Sequence, residues 1–81
     1  MSDAIAKYLK KLSQKEREIL LGIVQRILSD DWAGLDIKRL VGKKDLFRVR
    51  SGNSRIVFEK VNNEIMVIQM GKRSESTYKG I

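Results

Sequence analysis

The chain has 81 residues, 42 % hydrophobic and 33 % charged, with no cysteine, histidine or proline. That bounds it to one globular domain, 1–81, and excludes a disulfide framework, a thiolate or imidazole metal site and a histidine-based hydrolase triad. The net charge of +7 is lopsided: residues 1–37 hold six basic and six acidic side chains, and 38–81 hold eleven and four. A polyanion is the natural partner for the second half, because each Lys or Arg docked on a phosphate releases counterions.

Asp3 can cap a first helix over "AIAKYLKKL", with Ile5, Tyr8, Leu9 and Leu12 on one face. Ser13 to Glu16 spells a capping box and predicts a second helix. Its stripe of Ile19, Leu20, Ile23, Val24, Ile27 and Leu28 should face a core. So short a connection predicts an antiparallel helix hairpin. "SDDWAGLD" breaks the helical pattern, and "IKRLVGKKD" reads as a helical turn or a loop leading into a sheet. Strands are expected over Leu46–Arg50, Arg55–Lys60 and Glu64–Met70, with Gly52-Asn53 and Asn62-Asn63 as the turns. "IMVIQM" is apolar on both faces and reads as the interior strand. The expected fold class is α+β, a helix hairpin on one face of a three- or four-stranded antiparallel sheet. The longest apolar run, Ile19–Val24, is too short to span a bilayer, and no secretory pattern opens the chain. The expected address is the cytoplasm, with no membrane partner.

The chemistry concentrates in "LFRVRSGNSRIVF". Period two places Phe47, Val49, Ile56 and Phe58 on one face and Arg48, Arg50 and Arg55 on the other. If helices cover the first face, three guanidinium groups emerge together on the second, with Glu59 the nearby acid. Asp30, Asp31 and Asp36 cluster after a helix, where acids are ordinary, so no metal site is expected. "GKRS" at 71–74 resembles the end of a phosphate-binding loop, but Met66 stands where its first glycine is required. What remains is Arg48, Arg50, Arg55, Lys72, Arg73, Glu75 and Tyr78. Guanidinium forks suit phosphate oxygens, and Tyr78 offers a stacking surface or a phenol able to transfer a proton. The set fits cleavage of RNA by its own 2′-hydroxyl, without metal or cofactor. It also fits plain RNA binding.

The basic lead-in ending in Leu40–Gly42, the "FRVR-SGNSRIVF" hairpin and the "GKR…Y" ending together resemble the RelE branch of the RelE/ParE toxin superfamily. The likeness covers nearly the whole chain and is densest from Leu40 to Tyr78. It implies a metal-independent mRNA endonuclease acting in the ribosomal A site, leaving a 2′,3′-cyclic phosphate, with the ribosome and mRNA as partners. It further implies a cognate antitoxin, held in a toxin–antitoxin hetero-oligomer. Carried over, Arg48 and Arg50 match the basic positions of the first hairpin strand, and Arg55 the arginine that grips the scissile phosphate. Arg73 matches the arginine after the last strand and Tyr78 the C-terminal tyrosine. Lys38, Arg39, Lys43, Lys44 and Lys72 are the accompanying RNA-binding candidates. Family members usually begin with a strand before the first helix, so the resemblance implies a sheet with an exposed edge. Ser54 stands where the family usually has an aromatic, which removes a stacking surface. A ParE-like inhibitor of DNA gyrase and an inactive binding module of the same fold are the rival readings. The ParE branch more often ends its last strand in a histidine-containing motif, and here "QMGKRS" stands instead.

Overall fold

The computed structural model of the chain describes residues 3–40, 42 and 45–72. Its elements are α1 (Asp3–Lys11), α2 (Gln14–Leu28), β1 (Asp36–Arg39), β2 (Leu46–Ser51), β3 (Ser54–Val61) and β4 (Glu64–Lys72). The four strands form one antiparallel sheet in the order β1-β2-β3-β4, and the helix hairpin covers one face.

Local chemistry sets each boundary. Ser13 Oγ accepts from the Glu16 N–H at 3.2 Å and donates to the Glu16 carboxylate at 2.9 Å, opening α2. Arg17 ties α2 back to the end of α1, donating to the carbonyls of Leu9 and Leu12 at 3.0 Å each. At the far end Asp30 takes a left-handed φ of 61°. The Asp30 N–H then reaches the Ile27 carbonyl and the Asp31 N–H reaches that of Arg26. This is the Schellman arrangement, with aspartate in the place glycine usually fills. Asn62 and Asn63 both have positive φ, 52° and 68°, as a two-residue type I′ turn demands.

The core lies between the helices and the inner sheet face. Ile5 and Leu9 from α1 and Leu20, Val24 and Ile27 from α2 meet Val49, Ile56, Phe58 and Met70. Trp32, from the segment that breaks the helical pattern, joins Phe47 and Phe58 in a ring cluster with centroids 5.3 to 5.4 Å apart. Lys60 closes over it, 5.0 Å from the Trp32 centroid and 2.9 Å from an Asp30 carboxylate oxygen. Two residues of the α2 stripe, Ile19 and Leu28, remain about half exposed at 49 % and 54 %. The stripe is wider than the contact that α2 makes.

Two sequence expectations are corrected here. The stretch expected to be a helical turn or loop contributes β1, whose Ile37 pairs with Val49. Four residues were too few for a readable alternation. "IMVIQM" is not an interior strand: β4 lies at one end of the described sheet, and β2 and β3 are interior. The reason is a register shift: Val57 pairs with Gln69 and Phe58 with Val67, leaving Ile68 bulged out. Ile65 and Val67 face the core before the bulge, and Met70 faces it after. A phase change within an edge strand therefore imitates a strand covered on both faces. Met66 stays 63 % exposed.

Candidate functional site

The β2–β3 hairpin builds the site. Ser51 pairs with Ser54 across Gly52-Asn53, and Gly52 supplies the positive φ of 54° at the first turn position. With that register Arg50 stands directly opposite Arg55, and Arg48 opposite Val57, all on the face away from the helices. Lys38 of β1 is the cross-strand neighbour of Arg48 and belongs to the same face. Like charges placed directly opposite cost a hairpin stability. On its other side Arg50 stands opposite Asp36 of β1, so the row across the sheet runs Asp36, Arg50, Arg55.

Burial differs from the sequence expectation of three emerging arginines. Arg50 is exposed, whereas Arg48 and Arg55 are only 8 % and 6 % accessible. Both lie on interior strands, where neighbours flank them on each side. Arg48 has Lys38 and Val57 beside it, and Arg55 has Arg50 and Gly71. Nor is Glu59 the acid that balances them. Arg48 Nη1 is 3.4 Å from Asp36 Oδ1, and that carboxylate comes from β1. Burying a guanidinium is costly without a partner, so Asp36 fixes as well as balances Arg48. Asp30, Asp31 and Asp36, which the sequence clusters, are separated onto Lys60, Arg26 and Arg48.

The remaining candidates divide. Arg39 pairs with Phe47 and lies on the opposite face from Lys38, its guanidinium carbon 5.3 Å from the Phe47 centroid. It is therefore a cover for the aromatic cluster and not a neighbour of the arginines. Lys72 ends β4 opposite Ser54 and lines a cleft of about 760 Å³ with Tyr8, Lys11, Leu12, Glu16, Arg50 and Asn53. Lys43, Lys44, Arg73, Glu75 and Tyr78 lie outside the described residues.

Three contributors escaped the sequence reading. Asp36 looked like a loop acid because β1 was not recognised. Tyr8 read as one more apolar-face residue of α1, yet its hydroxyl meets Ser54 Oγ at 2.7 Å. Ser54 itself, read as a lost stacking surface, is 5 % accessible and joins the first helix to the strand that carries Arg55.

No protein-family model matches the chain, and no curated protein matches it at a significant level. A solved structure does. The chain superposes on one chain of the RelB-RelE antitoxin-toxin complex from Methanococcus jannaschii with a TM-score of 0.77 and 25 % identity. The match covers 96 % of this chain and 93 % of that one. The fold is thus one that an antitoxin–toxin complex uses. Among the described residues, no helix is long and apolar enough to cross a membrane.

Proposed function

We propose that the chain is the toxin of a type II toxin–antitoxin pair, a RelE-like, metal-independent endonuclease that cuts mRNA on the ribosome. The observation that carries this reading is the facing pair Arg50 and Arg55 on the outer face of the sheet, with Arg48 next along β2. Two neighbouring guanidinium groups, with Asp36 beyond Arg50, suit a phosphodiester laid across them. The likeness to a component of an antitoxin–toxin complex supports the same reading. The lopsided charge of residues 38–81 supports a nucleic-acid substrate.

In the proposed reaction the 2′-oxygen of a ribose attacks the adjacent phosphorus, and its proton passes to Tyr78, Lys72 or Glu75. The bond to the 5′-oxygen of the next nucleotide breaks, and that oxygen leaves with a proton. The products are a 2′,3′-cyclic phosphate and a 5′-hydroxyl. Arg55 and Arg73 take the charge that develops on the non-bridging oxygens, a role in which one preorganised donor contributes on the order of a hundred- to a thousandfold in rate. Arg48, held by Asp36, and Arg50 position the backbone. The cognate antitoxin is expected to bind by strand addition at an exposed edge, by a helix laid over an apolar surface, or by both. The β4 edge, with Met66 and Ile68 exposed, suits the first mode.

The decisive experiment maps 5′ ends on mRNA in ribosomes programmed with and without the protein, in the presence and absence of a chelator. New A-site cuts that persist in chelator, with cyclic phosphate ends, are expected. Intact mRNA, or cuts that vanish in chelator, would refute the reading. DNA damage on expression, with translation untouched, would favour the gyrase inhibitor instead.

A further inference from the structure

The described chain contains four aromatic rings. Trp32, Phe47 and Phe58 are committed to one another. Tyr8 is not. It is half-buried on α1 and forms a wall of the polar cleft between the helix hairpin and the β2–β3 turn. Its hydroxyl is held by Ser54 Oγ at 2.7 Å, so the ring is anchored at its tip. Lys11, Arg50 and Lys72 supply three cations to the same cleft and Asn53 an amide. The one carboxylate there, Glu16, already accepts a hydrogen bond from the Ser13 hydroxyl at 2.9 Å. A volume of about 760 Å³ falls in the range of small-ligand sites, roughly 300–1,000 Å³. Ser54 and Arg55 point to opposite sides of β3, but Arg50, directly across from Arg55, also lines the cleft. The cleft therefore lies at the turn end of the hairpin, and Arg50 links it to the outer face.

We propose that this cleft holds one nucleotide of single-stranded RNA next to the scissile phosphate, its base against the Tyr8 ring and its phosphates on Lys11, Arg50 and Lys72. The inference rests on the RNA reading above and names the subsite that reading lacks. An aromatic face beside a cationic track is the arrangement by which single strands are held, since every base has a face to stack and every nucleotide a charge to pair. An acidic peptide could use the cations and pack a side chain on the ring, but its units do not each bring a flat face together with a charge, as nucleotides do. Ser54 serves as the anchor of that ring.

The test uses the full chain and a fluorescent hexanucleotide RNA with every 2′-oxygen methylated, so that binding is read without cleavage. A set of these oligonucleotides carries one abasic site at each position in turn. In the wild type, one abasic position should weaken binding about tenfold, and Tyr8→Leu should weaken the intact oligonucleotide by about the same factor. At that position the two losses should not add. Tyr8→Phe keeps the ring and gives up only the tie to Ser54, so it should bind within about twofold of wild type. Lys11→Ala should lower the slope of log K against log salt by about 0.7. Photo-crosslinking of the wild type to 4-thiouridine oligonucleotides needs no variant and should place adducts on the peptide containing Tyr8. Additive losses, a flat abasic profile, tight binding by Tyr8→Leu, a weakened Tyr8→Phe or adducts only elsewhere would overturn the subsite. So would absence of RNA binding by the wild type at low salt. Ring-dependent binding without any cut on ribosomes would leave the subsite standing and reject the cleavage reaction.

Discussion

The two faces of the sheet use the same strands for opposite ends, and each buries a residue to the same degree. On the helix side Met70 is 8 % accessible, and on the other side Arg48 is 8 % accessible. Met70 gains from leaving water, whereas Arg48 loses, a loss that the largely exposed Asp36 at 3.4 Å offsets only in part. The inner face couples its residues through shape, with three rings in mutual contact. The outer face couples them through charge, in a register that sets arginine against arginine. Burial by itself therefore does not separate a core from a site. What separates them is whether the buried group is stable where it lies.

That contrast can be broken most forcefully from the inner side. Phe58→Ala removes a ring that is 0 % accessible and touches both Trp32 and Phe47. It should cost about 3–5 kcal/mol, much of the stability of so small a domain, read as a lowered urea midpoint. The matching change for the proposed chemistry is Arg73→Ala. It should leave the melting temperature nearly unchanged and slow cleavage on ribosomes by at least about a hundredfold. If Phe58→Ala melted like the wild type, or Arg73→Ala cleaved like it, the separation of stabilising core from proposed chemistry would be wrong.

Asp36→Asn sharpens the contrast on the outer face alone. Its side chain is 61 % accessible, so the ion pair should contribute no more than about 1 kcal/mol. Removing a negative charge beside Arg48 should tighten RNA binding by a few-fold at low salt, and the gain should fade as salt rises. Weaker binding would mean that Asp36 serves chiefly to aim Arg48. The smallest effect belongs to the part of the α2 stripe that the core does not reach. Leu28→Lys should shift stability by no more than about 0.5 kcal/mol by denaturant titration, since the position is already 54 % exposed.

Both helices, the hairpin turn and the alternation that puts Phe47 and Val49 on one face and Arg48 and Arg50 on the other were legible in the sequence. Each depends on neighbours a few residues apart: the Ser13–Glu16 cap, the Asn62-Asn63 turn, a period of two. The cationic bias of the second half was legible too, because charge is counted without a fold. Strand order, the burial of Arg48 and Arg55, the Asp36–Arg48 pair and the bond from Tyr8 to Ser54 came from the tertiary structure alone. In β4 a one-residue bulge made an edge strand read as an interior one. Asp36 is 12 positions from Arg48 and Tyr8 is 46 from Ser54. No local period reports such contacts; they exist only once the sheet has aligned its strands and the first helix has been laid against it.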